Sequence, residues 1–419
     1  MLGTFGRNVS VFRKIKCQDI RKAIGEKCFS VKSNRCTLLL RNCKKNVQSC
    51  NVSRYNSNQI SQSRIESFYD PSATVMNESE RKEFMVVFED ILGDMVIKQD
   101  DQYTSDVVDR FQKIVKYTIP GQKFTRAAAL MKAYRTLASE QERTPENIRL
   151  SIIMALCVQM MESSFQIIDD IMVGSTMKKT RPPWCCFSNI GEAAVYDADL
   201  VEGGVYEILK KYFSDKPYYL DTIELFHDVT FKDALGQTLD INVAAKGSGK
   251  VPDLSTYTME RYRTIVKYKI CNFECCFPFT LAMYMAGLKN EELLRQGKNI
   301  LMEIGQFAQV QDDYLDCFGD PAVTGKIGTD IETRKCTWLI ATAMQRATPE
   351  QKAVLEDCYG CKDPLKVAKV KEVYEELDLH SAFNTFVQDR KVVISSLIHQ
   401  LPNELPKQLF YDFMLMLRM

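Results

Sequence analysis

Two short acidic runs are the first candidates for chemistry. One is Asp169-Asp170, in SFQIIDDIMVGSTMKK. The other is Asp312-Asp313 with Asp316, in GQFAQVQDDYLDCFGDP. Glu162, Gln166, Asp169, Asp170 and position 173 recur at spacings that share one helix face. Gln306, Gln309, Asp312, Asp313 and Asp316 share a face in the same way. Carboxylates this close repel one another. A hard cation relieves that repulsion, and Mg²⁺ takes oxygen ligands while keeping several waters. The bound charge would then hold a phosphate. An aspartate pair near a helix end is more often a solvated surface. Two such stripes, one framed by Gln-x-Gln and Phe-Gly-Asp-Pro, point instead to a diphosphate clamp between two facing helices. Candidate anion-binding groups lie outside them: Lys123 and Arg126 in PGQKFTRA, then Lys178, Lys179 and Arg181. Lys269 in VKYKICNF, Lys326 in TGKIGTD and Lys335 complete the set.

Helices must carry these groups. In 83–97, Phe84, Val87, Phe88, Ile91 and Leu92 recur at spacings of three and four. Residues 148–172 form a nearly continuous run of apolar residues and helix formers, and 257–286 and 291–318 read as long helices. Breakers separate them at Pro120-Gly121, Pro182-Pro183, Gly247-Ser-Gly249 and Gly319-Asp-Pro321. Strand-like alternation is scarce, and no repeat of fixed period is visible. The expectation is one all-α domain over residues 61–419. The apolar run at 152–168 is interrupted by Gln159, Glu162 and Gln166, so it reads as a buried helix and no transmembrane segment is expected.

Composition narrows the function. A net charge of +1 gives no global reason to expect nucleic acid or a membrane surface. The three histidines, His227, His380 and His399, are in no metal-ligand spacing. Fifteen scattered cysteines do not read as a disulfide framework, and Cys358/Cys361 is a CxxC without a second pair. A reducing compartment fits best. Residues 1–60 are basic, serine-bearing and acid-poor, with only Asp19 and Glu26 against thirteen lysines and arginines. That is the make-up of a mitochondrial transit peptide, with a disordered tail as the alternative and a cytoplasmic location if there is no targeting.

These strings resemble the farnesyl diphosphate synthase family of trans-isoprenyl diphosphate synthases. The likeness spans roughly residues 80–400 and is strongest in YYLDTIELFHD, GQTLD, RYRTIVKYK and QVQDDYLDCFGDPAVTGKIGTD. The resemblance implies an isoprenoid-synthase-type bundle of long helices around a central cavity, and a homodimer. It also implies three Mg²⁺ held by Asp169, Asp170, Asp312, Asp313 and Asp316. The isoprenyl diphosphate substrate would meet Lys178, Lys179, Lys269, Gln309, Lys326 and Lys335. Ionisation of an allylic diphosphate would leave a carbocation, which isopentenyl diphosphate attacks in the synthases. Histidine is not needed, because the departing diphosphate can take the proton.

The chain also departs from that pattern. Val173 stands where the first motif should end in aspartate, and Lys178-Lys179 replace an arginine pair. The isopentenyl motif reads Gly121 to Arg126 with an altered interior, and Glu162 replaces a glutamine. Lys123, Arg126 and Glu162 therefore read as a remnant isopentenyl site, with Glu162 repelling the anion. In the expected cavity wall, Ile270 replaces a threonine and Ser164 an aromatic, while Phe165 and Phe273 are apolar. The basic C-terminus of the family is here FMLMLRM, with only Arg418. The allylic half looks better kept than the isopentenyl half. The expectation is a class I terpene synthase of insect type, turning farnesyl diphosphate into a sesquiterpene, a pheromone or its precursor. The alternatives are a prenyltransferase making geranyl or farnesyl diphosphate, and a non-catalytic regulatory paralogue.

Overall fold

Helix-period burial builds the fold of this computed structural model. It describes residues 75–95, 104–175, 181–245, 253–324 and 327–417, all within the compact unit Gln62–Met419. No β-strand occurs among them. The leader, Lys178, Lys179, Lys326 and Arg418 lie outside the described residues.

Helix α1 (Glu78–Asp94) buries Phe84, Val87, Phe88, Ile91 and Leu92, the stripe read from the sequence. Asn77 opens it with a capping box: its side chain accepts from Glu80 N–H at 2.9 Å, and its own N–H reaches the Glu80 carboxylate at 3.1 Å. Helices α2 (Thr104–Thr118) and α3 (Thr125–Leu137) follow. Helix α4 (Pro145–Val173) starts at a Thr144 cap with proline in its first turn. It is apolar on nearly every side, so it must be central. By length and composition it could cross a membrane, yet 83% of its most apolar window is buried inside the protein.

Helices α5 (Ala194–Phe213) and α6 (Tyr219–Ala245) come next. The stretch 257–286, expected as one long helix, is divided. Helix α7 (Met259–Val266) runs into a π-helix, Lys267–Cys276, and then α8 (Phe277–Met285). Pro278 has no N–H to continue the α ladder, and the Phe277 N–H bonds the Asn272 carbonyl, five residues back. Two close approaches hold the wide turns. A Cβ on Gly236 of α6 would meet Lys269 N at 2.5 Å, and one on Gly305 would meet Cys271 Sγ at 2.9 Å. Gly305 lies on α9 (Glu291–Phe318), whose bounds match the sequence expectation. Helices α10 (Trp338–Arg346), α11 (Pro349–Cys358), α12 (Pro364–Glu376), α13 (Leu379–His399) and α14 (Lys407–Met416) complete the bundle.

Candidate active site

Both acidic motifs sit at the C-terminal ends of long helices. Helix α4 closes at Gly174 in the left-handed conformation (φ 67°), one turn beyond Asp169 and Asp170. Helix α9 closes at Gly319, just past Asp312 and Asp316. Neither helix has a basic residue in its last turn. The negative end of each macrodipole therefore opposes the carboxylates, which a cation would favour.

The individual aspartates differ. Asp169 accepts a hydrogen bond from Gln237 Nε2 of α6 at 2.8 Å. Asp170 is 8% exposed and lines a cavity of about 290 Å³. Asp312 is exposed and lines a larger cavity of about 600 Å³. Asp316 accepts the Asp330 N–H at 3.0 Å. Asp313 departs from its expected role as a metal ligand. It is 1% exposed and turned inward, accepting from Trp338 N–H at 2.9 Å and Gln309 Nε2 at 2.7 Å, with Lys335 Nζ at 3.4 Å. Burial raises its pKa, while Lys335 and these donors pull it down. Asp313 ties α9 to the start of α10.

Asp169, Asp170, Asp312 and Asp316 lie outside that buried network. Among the described residues no group of three or more histidine, cysteine or acidic side chains is already gathered. Mg²⁺ does not need one: it is usually held by one or two carboxylates, completing its shell with water and substrate phosphate. Asp169-Asp170 and Asp312/Asp316, all hard oxygen donors, fit it as two half-sites.

The basic residues are mostly engaged. Lys269 Nζ pairs with Asp240 of α6 at 3.0 Å. Lys335 Nζ pairs with Asp330 at 3.0 Å and with Asp313, and it lines neither cavity. Lys335 thus bridges two aspartates, and its expected role as a diphosphate ligand stays a proposal. Gln309 lines the larger cavity while it braces Asp313. Asp233 is pushed up to about 7, by burial first and then by Asp169.

Lys123 stands between the two cavities, whose linings share Gln122, Lys123, Thr125 and Glu274. Phe124, next to it, takes a left-handed conformation (φ 59°) and is anchored edge-on to Phe84, ring centroids 5.1 Å apart. Arg126 pairs with Glu162 at 2.6 Å and with Glu274. Its guanidinium lies 4.4 Å from the centre of the Phe273 ring. Glu162 also accepts from Gln159 at 2.5 Å and Gln166 at 2.6 Å.

Of the expected wall residues, Ile270 lines the larger cavity. Phe165 and Phe273 pack ring to ring at 5.1 Å. Ser164 is fully buried and donates to the Met161 carbonyl at 3.1 Å, and it is not in the lining of either of these two cavities. Sequence reading passed over Glu274, Arg81, Asp233, Asp240 and Gln237. Glu274, an acid inside the apolar run KICNFECC, was the one local signal. Gln237 and Asp240 sit in GQTLD, quoted above only as part of a likeness.

An all-α bundle with two acidic helix ends and two adjacent cavities that share lining residues defines a class: a helical enzyme built for phosphorylated ligands and a divalent metal. Residues 108–377 match the polyprenyl synthetase family. Farnesyl pyrophosphate synthase of Nezara viridula is 41% identical over 335 residues, covering 80% of this chain and 81% of that protein. The Gallus gallus enzyme of the same name is 40% identical over 339 residues, covering 80% and 91%. The solved farnesyl diphosphate synthase of T. brucei, complexed with homorisedronate, superposes with a TM-score of 0.73 at 25% identity, covering 80% of this chain and 97% of that one. The chain belongs to the polyprenyl synthetase family. Isoprenyl diphosphates fit it as substrates, and Mg²⁺ is the metal that enzymes of this family generally use.

The terpene synthase expectation is overturned. The relatives reported are farnesyl pyrophosphate synthases. One physical premise also fails, because Glu162 is not a bare negative charge facing the isopentenyl anion. Arg126 and two amides take up its oxygens.

Proposed function

We propose that this enzyme is a prenyltransferase that condenses isopentenyl diphosphate with dimethylallyl or geranyl diphosphate to form farnesyl diphosphate. The observation that carries the reading is the pair of cavities meeting at Lys123, in a chain about 40% identical to farnesyl pyrophosphate synthases. Two ligand spaces in contact suit a two-substrate reaction. Asp169, Asp170, Asp312 and Asp316 would hold Mg²⁺, three ions by the family pattern, which when bound offsets the negative charge growing on the departing diphosphate. Lys123 is placed to hold a diphosphate at the junction. Lys178, Lys179 and Lys326 are proposed diphosphate ligands on the resemblance alone. Ile270, Ala308 and Leu315 give the larger cavity an apolar side, which excludes water from an allylic cation. No histidine lines either cavity, and by the family pattern the departing diphosphate would take the proton lost on condensation.

The test follows diphosphate release from geranyl diphosphate with Mg²⁺ present. Release that saturates with added isopentenyl diphosphate is expected. Equal release without isopentenyl diphosphate would refute condensation, and none under either condition would favour a non-catalytic paralogue. The enzyme is further proposed to be a homodimer, which light scattering checks; a monomer at working concentration would count against it. The basic leader is proposed to direct mitochondrial import. A fluorescent fusion of residues 1–60 that stays cytoplasmic would reject that.

A further inference from the structure

We propose that the guanidinium gripping the second diphosphate, that of isopentenyl diphosphate, belongs to Arg181 and not to Arg126. The inference rests on the condensing reading above. The smaller cavity is lined by Lys123, Arg126 and Glu162, the residues that resemblance assigns to the isopentenyl site. Arg126 is poorly placed to receive a phosphate there. One of its terminal nitrogens holds Glu162 and the other Glu274. Its Nε is buried without a partner, and one face covers Phe273. One cation is thus set between two anions, with no donor fork left over.

Arg181 lines the same cavity and is built differently. Its guanidinium stacks 4.7 Å from the centre of the Tyr117 ring. Tyr117 is itself fixed, because its hydroxyl donates to the Pro182 carbonyl at 2.7 Å. Its ring packs on Trp184 at 5.4 Å and Phe187 at 4.6 Å, and Trp184 Nε1 is bonded to Asp197 at 2.8 Å. Pro182 and Pro183 stiffen the backbone that follows. The guanidinium also lies against Gly121, where any Cβ would overlap it. Among the described residues no carboxylate forms an ion pair with Arg181. A planar fork held against a ring and close to a glycine has little freedom left to lose on binding, and it suits bidentate phosphate binding. Lys123 and the Gln166 amide flank it in the cavity.

The test is calorimetry on the full chain without metal, titrating isopentenyl diphosphate and, separately, inorganic diphosphate. Leaving out Mg²⁺ silences the acidic half-sites. Arg181→Gln is expected to weaken both ligands about tenfold or more, the worth of a charge-assisted pair. Arg181→Lys should fall between, since it keeps charge without the fork. Gly121→Ala, which displaces the guanidinium but keeps it, should also weaken binding and serves if Arg181→Gln folds poorly. In turnover, Arg181→Gln should raise the KM for isopentenyl diphosphate about tenfold and leave that for geranyl diphosphate within about twofold. Wild-type affinity in Arg181→Gln, or no binding by the wild type, overturns the inference. Condensation by the wild type with unchanged Arg181→Gln affinity sinks this inference alone. Weakened Arg181→Gln binding with no condensation by the wild type sinks the condensing reading alone.

Discussion

Asp312 and Asp313 are adjacent in sequence and opposite in environment. Asp312 is exposed at the larger cavity, whereas Asp313 is buried among Trp338, Gln309 and Lys335. Asp312→Ala should therefore fold like the wild type and lose turnover by a hundredfold or more, roughly 3 kcal/mol of transition-state stabilisation. Asp313→Ala should lower the melting temperature, because it leaves the Trp338 N–H without its acceptor and takes from Lys335 one of its two carboxylates, at a cost of about 2 kcal/mol. Thermal melts beside steady-state assays separate the two. Near-normal turnover in Asp312→Ala would remove it from the metal site. Glu162 offers a second residue-scale test. Its charge is already met by Arg126, so Glu162→Gln should change the KM for isopentenyl diphosphate by no more than about threefold. A fall of tenfold would mean that the carboxylate does repel the substrate.

At the scale of elements, α4, α6, α9 and the π-helix bring the acids together, and this has a pH consequence. Asp233 of α6 is raised from 3.8 to about 7, by burial and then by Asp169, against Lys269 and Arg126. Asp330 is likewise raised to about 7 by burial, partly offset by Lys335. Between about pH 4 and 7 the unfolded chain has given up protons that the folded chain keeps on these groups. The folded state binds more protons there, so their contribution makes stability fall as pH rises through that window. The metal-free protein should melt at a lower temperature at pH 7.5 than at pH 5, and Asp233→Asn should shrink the difference. A variant with the wild-type pH slope would show that Asp233 is ionised throughout. The π-helix teaches a related point. Residues 257–286 read locally as one helix; the division is imposed by Gly236 and Gly305 on other helices, which let the backbone at Lys269 and Cys271 come close.

For the whole molecule, the all-α architecture was legible because apolar residues recur at helical spacing and the breakers mark the ends. The stripes bearing Asp169, Asp170, Asp312 and Asp316 were legible for the same reason. Partnerships between distant residues were not. Glu162 read as a repelling charge because nothing local announces Arg126, and the pairing of Lys335 with Asp313 and Asp330 exists only once α9 has folded against the loop before α10. The terpene synthase expectation counted charges without those partners. The most direct measurement of the central claim supplies ¹³C-labelled isopentenyl diphosphate with geranyl diphosphate and Mg²⁺, and identifies the product by mass spectrometry. The account predicts farnesyl diphosphate carrying one labelled five-carbon unit. An unlabelled hydrocarbon or alcohol, formed equally well without isopentenyl diphosphate, would contradict it.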